Sequence, residues 1–103
     1  MAADILWNGA LTGTLDWNTS GNWTGSAFVN SASDRADLRV DWATAPIINL
    51  SAPVTVNGIL FDDTGAASDT TLTIGNGGNS LNILTLAGTT PSIDVATTTL
   101  TIS

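Results

Sequence analysis

Lys, Glu, His, Cys, Gln and Tyr are all missing from this chain. Without Cys there is no disulfide framework, no thiolate nucleophile and no thiolate metal site. Without His, Lys, Glu, Cys and Tyr, acid–base chemistry would fall to Asp alone. The only cations are Arg35 and Arg39, against nine acidic residues and a net charge of −7. Two guanidiniums cannot neutralise a useful number of phosphates, which excludes nucleic-acid binding and, by the same argument, an anionic membrane surface. No apolar run is long enough to span a bilayer, so no membrane insertion by this segment is expected. The missing Lys, Glu and Gln are good helix formers. Thr, Ser and Asn carry the surface polarity in their place, Thr and Val fit pleated sheets, and Asn, Asp and Gly fit turns. The composition therefore reads as all-β.

What is present falls into two textures within one expected domain, residues 1–103. Residues 4–45 hold all four Trp and both Arg, with Asn- and Gly-rich turns between them, whereas residues 46–103 lack Trp, Arg and Lys and consist of β-branched residues and turns. No Pro- or Ser-rich linker separates the halves. Within Arg35–Trp42, Ala36, Leu38, Val40 and Trp42 alternate with Arg35, Asp37, Arg39 and Asp41. Period two marks a half-buried strand with one apolar face and one charged face. Further strands are expected over 47–50, 54–61, 71–74, 81–86, 92–95 and 98–102, with 62–69 as a turn or loop. Segments this short and this close leave no room for helical crossovers, so they form hairpins or the faces of a coiled ladder. The strands at 71–74 and 92–95 start about 20 residues apart, the lower end of solenoid periods. An antiparallel sandwich or jelly roll would suit these spacings as well.

Three candidate sites stand out. Asp62 and Asp63 are adjacent, and adjacent strand residues point to opposite faces, so they make a poor catalytic pair and no enzymatic role is expected. With Asp69 they bracket a Gly-containing loop of oxygen ligands that suits calcium, although the spacing fits no EF-hand or nonapeptide pattern and a polar turn explains it better. Trp7, Trp17 and Trp23, with Asn8, Asn18 and Asn22 beside them, have the makings of an aromatic platform for sugar rings. The competing use of these Trp is to cover the end of a solenoid, where large amphipathic rings pack over open apolar surface.

The ordered set LWNG (Leu6–Gly9), LDWN (Leu15–Asn18), GNW (Gly21–Trp23) and SDRADLRV, followed by VTVNGILFD, TLTIG, LTLAG and TTLTIS, resembles the start of the passenger region in bacterial proteins carrying autotransporter-associated β-strand repeats. The resemblance covers nearly the whole chain and implies a right-handed parallel β-helix with a Trp-rich N-terminal cap (residues 4–45) and β-helix coils (46–103), displayed outside the cell. Family members run on to a membrane barrel or a sorting signal. Neither is found in these residues, so the resemblance implies an N-terminal fragment. The function expected is structural: capping and stiffening an exposed solenoid at the bacterial cell surface or in the extracellular space. An open ladder edge would favour self-association, head to tail and into filaments. The alternative is an adhesin-type carbohydrate-binding module acting through Trp7, Trp17 and Trp23. No cofactor is expected beyond the calcium candidate.

Overall fold

The computed structural model describes residues 3–25, 27–65, 70–96 and 99–103. Their strands are β1 (Ala3–Leu6), β2 (Thr14–Asp16), β3 (Ser31–Val40), β4 (Ile47–Asn49), β5 (Val54–Asp63), β6 (Leu72–Gly75), β7 (Leu84–Leu86), β8 (Ser92–Val95) and β9 (Leu100–Ile102). A single 3₁₀ turn, Ser20–Asn22, joins β2 to β3. Among the described residues no helix is long and apolar enough to cross a membrane.

The chain alternates between two sheets. One has the order β1-β3-β5-β7, with β8 also on β5, and the other runs β2-β4-β6-β9. Every strand pairing is parallel. Each coil crosses both sheets and returns in the same direction, the last one laying β7 and β8 in the first sheet, which makes a β-solenoid of about three turns. The antiparallel sandwich is thereby corrected. Consecutive strands lie in opposite sheets, apart from β7 and β8, which both lie on β5, and no two consecutive strands pair, whereas a sandwich of hairpins would pair them directly. The one antiparallel contact among the described residues is an isolated bridge between Trp7 and Trp23.

Parallel registry puts like upon like. Leu15, Ile48, Ile74 and Ile102 form one inward stack, and Ile5, Ala36, Ile59 and Ile93 form another. Leu38, Phe61 and Val95 form a third. The middle members of these stacks are fully buried, each contributing about 1.5–3 kcal/mol for its larger side chains. Outside the barrel, Thr14, Ile47, Thr73 and Thr101 align in the same way.

The alternation over Arg35–Trp42 holds in part: Ala36, Leu38 and Trp42 are buried and Arg39 is exposed, but Asp37 on the charged face is buried too, and the strand ends at Val40. Two expectations change. The strands at 71–74 and 92–95 do not stack on each other, because β6 pairs with β9 while β8 lies on β5 in the other sheet. Their 20-residue spacing is therefore not the coil step. Asp62 and Asp63 are not turn residues but the last two of β5, held in the ladder opposite Arg39 and Val40.

The first sheet has an irregularity centred on Asn57. Ser31 faces Val56 and Arg35 faces Gly58, so Ala32, Ser33 and Asp34 together face one residue, Asn57. On the far side of β5, Leu86 faces Val56 and Ser92 faces Gly58, so the segment 87–91 also spans Asn57. Two bulges thus flank the same point of β5.

Candidate functional site

The four Trp close one end of the solenoid. Trp7 continues β1, its amide donating to the Asp37 carbonyl at 2.9 Å, and Trp17 continues β2, its amide donating to the Asn49 carbonyl at 2.9 Å. The 3₁₀ turn then folds Trp23 back between them. Trp7 and Trp23 meet edge to face with ring centroids 5.1 Å apart, and Trp17 and Trp23 at 4.9 Å. Trp42, leaving β3, lies 5.8 Å from Trp7. None of the four is more than 2% exposed. Rings of this size in tilted and edge-on contact gain beyond their area burial.

A buried indole N–H must find an acceptor, and each of these does. Trp7 Nε1 donates to the Ala10 carbonyl at 3.0 Å and Trp17 Nε1 to the Val29 carbonyl at 2.8 Å. Trp23 Nε1 donates to the Trp17 carbonyl and Trp42 Nε1 to the Leu38 carbonyl, both at 2.8 Å. Each indole is thereby tied to the main chain of the cap or of β3.

The neighbouring amides serve the same cap. Asn22 Nδ2 donates to the Asp16 carbonyl at 2.8 Å, and Asn18 Oδ1 accepts from the Ser51 amide at 2.9 Å. Asn8 is exposed, its backbone amide donating to the Asn22 carbonyl at 2.7 Å. Asp16 accepts the Thr19 hydroxyl at 2.6 Å. Burial pushes the Asp16 carboxyl up, but the Thr19, Ser51 and Asn18 donors outweigh it and hold the carboxyl below its ordinary value. The structure thus brings Trp7, Trp17 and Trp23 together as the sequence suggests. Their faces are turned on one another, and none is left flat to a sugar ring.

Asp62 and Asp63 meet different surroundings. Asp63 is buried, its carboxylate accepting from the Thr70 amide at 3.0 Å and the Gly65 amide at 3.3 Å, which ties the end of β5 to the start of the next segment. Asp62 is half-buried. Asp69 lies outside the described residues. Among those described, no three His, Cys, Asp or Glu side chains gather as a metal site.

The charged face of β3 forms two ion pairs. Arg35 grips Asp4 on the neighbouring strand through Nε at 2.6 Å and Nη2 at 3.0 Å. Arg39 grips Asp37 two residues back through Nε at 2.8 Å and Nη2 at 2.9 Å. Burial raises the Asp37 carboxyl, but the Arg39 side-chain and backbone donors and its charge more than offset this and leave it lowered. Comparison with family models, with curated proteins and with solved structures finds no match for this chain.

Proposed function

We propose that this chain is a non-enzymatic structural segment that closes and stiffens one end of an extended β-solenoid in a secreted or cell-surface bacterial protein. The observation that carries this reading is the contrast between the two ends. At the Trp end the cap residues are buried and every indole N–H is bonded inside. At the β7–β9 end the inward stacks emerge half-covered: Val95 is 43% and Ile102 47% exposed, although Phe61 and Ile74, one coil earlier, are 0% and 1%. A further coil laid on β7, β8 and β9 would bury these side chains as β5 and β6 are buried now. Solenoid coils depend mainly on their neighbours, so one closed end and one stackable end suit a mechanical role. The extracellular placement rests on the resemblance of the Trp motifs and the SDRADLRV strand.

In the absence of a further coil, a second copy would supply the missing contact by presenting its own β7–β9 end, because the Trp end is closed. Light scattering coupled to size exclusion across a concentration series tests this on residues 1–103. Assemblies that grow with concentration, and that vanish in Val95→Asp and Ile102→Asp variants with unchanged circular dichroism, are the expected result. A species of constant monomer mass at every concentration would overturn the self-stacking role.

A further inference from the structure

The two bulges beside Asn57 border an open cleft of about 640 Å³ on the flank of the solenoid, and none of the four Trp lines it. Its size falls in the usual range for small-ligand sites, roughly 300–1,000 Å³. One wall is Ala32 and Ser33 of the β3 bulge, and the other is Gly88, Thr89 and Thr90 of the segment between β7 and β8. Arg35, Asn57 and Ser92 complete the lining.

The cleft is held open by specific contacts. Asn57 is 6% exposed, and its Nδ2 donates to the Ala87 carbonyl at 3.1 Å and the Thr89 carbonyl at 2.9 Å, which pins the second bulge. Gly88 has φ +88°, and a Cβ there would lie 2.1 Å from the Ala32 carbonyl oxygen. The two bulges therefore touch at their base, where only glycine fits. Thr90, on the rim, has φ +46°, a left-handed conformation that a β-branched residue adopts only under constraint. Backbone strain of this kind concentrates at ligand clamps.

The donors define the ligand class. Ser33, Thr89, Thr90 and Ser92 supply four hydroxyl-bearing side chains to the lining, each hydroxyl a donor and an acceptor, that of Ser33 already sharing a hydrogen bond with Ser31 at 3.0 Å. Asp4 takes the Nε and Nη2 donors of Arg35, and Nη1 carries no hydrogen bond to a described residue. The guanidinium thus presents a planar donor to a hydroxyl oxygen. An anion is disfavoured, because Asp4 already pairs with Arg35 and the charge of Asp94 also acts on it. We infer that the cleft binds a neutral, hydroxyl-rich ligand, a short saccharide of one or two rings. The site is independent of the capping role and uses none of the Trp.

Heteronuclear NMR on the ¹⁵N-labelled chain, titrated with maltose, cellobiose and lactose and with digalacturonate as charged comparator, tests the assignment. The expected result is saturable shifts for at least one neutral disaccharide, centred on the amides of Ser33, Arg35, Gly58, Gly88, Thr90 and Ser92. The four indole N–H signals stay fixed, and digalacturonate binds more weakly. Arg35→Ala removes a charged donor and weakens binding about tenfold. Ser33→Trp, at an exposed position, fills the opening without touching the core and gives a similar loss. Absence of cleft shifts with all three neutral sugars, shifts centred on the indoles, or preference for the uronate would each overturn the proposal.

Discussion

At the scale of single residues, Trp17 and Asp37 carry the sharpest consequences. Trp17 is fully buried, touches Trp23, and gives its Nε1 hydrogen to the Val29 carbonyl while accepting the Trp23 indole at its own carbonyl. Trp17→Ala removes the ring and leaves the Val29 carbonyl unpaired, a loss of about 3–5 kcal/mol measurable by urea denaturation. Trp17→Phe keeps most of the packing and loses less, which separates the hydrogen bond from the ring. An effect of either variant below about 1 kcal/mol would contradict the cap geometry. Asp37 acts through pH. Its native carboxyl lies below the ordinary value of 3.8, as does that of Asp16, so the unfolded chain takes up protons first as the solution is acidified. The stability these carboxylates contribute is fully present above 3.8 and is lost as pH falls through their lowered native values. Asp37→Asn should therefore lower the melting temperature by a constant amount above about pH 5, with the gap to wild type closing below the ordinary carboxylate range. A gap that does not change with pH would show that the Arg39 pair contributes nothing through charge.

At the scale of elements, β5 is the strand on which the first sheet is built. It pairs with β3 on one side and with β7 and β8 on the other, and Gly58 sits between Arg35 of β3 and Ser92 of β8. A Cβ at Gly58 would lie 2.6 Å from the Ser92 carbonyl oxygen and 3.3 Å from Arg35 Cδ. Because the nearer atom is backbone, Gly58→Ala must push β8 away, at a cost of about 1–3 kcal/mol. Gly21→Ala, where nothing lies within 4 Å, should stay within about 0.5 kcal/mol of wild type and serves as the comparison in the same denaturant titration. Equal effects at both positions would show that the packing around Gly58 is loose. This element also marks how far the sequence could be read. The strand over 35–40 was legible because period two and strict charge alternation admit one interpretation, but its start at Ser31 and its end before Asp41 were not. The stacking partners were not, because the connections between coils differ in length and nothing in TLTIG or SIDV says which sheet it joins. Asp62 and Asp63 looked like a turn by composition, yet both belong to a strand paired along its length, and Asp63 turns the chain only afterwards through the Thr70 amide. The Trp set was legible as a group, but which carbonyl each indole answers depends on the 3₁₀ turn. The cleft had no sequence signal, since a bulge of Ala, Ser and Asp is indistinguishable from strand until the register is known.

At the scale of the whole molecule, the two ends differ in kind. The Trp end is closed, while the β7–β9 end shows Leu81 72% and Ile83 55% exposed beside the half-covered stacks. Charge follows a related gradient, because both ion pairs engage the first two layers of the first sheet and Asp94 is the one charged side chain on β7, β8 and β9. Like-charge repulsion is therefore weakest where apolar surface is greatest, which suits that face to receive another layer.

The parallel ladder also sets an order of assembly in time. From β3 onward, every strand in it rests on one that precedes it in the chain. The indole-bearing layer leaves the ribosome ahead of the layers it supports. At roughly 5–20 residues per second, each later coil emerges within a few seconds of the surface that templates it. Growth from a finished seed spares the chain the slow search that a parallel sheet of distant strands otherwise demands.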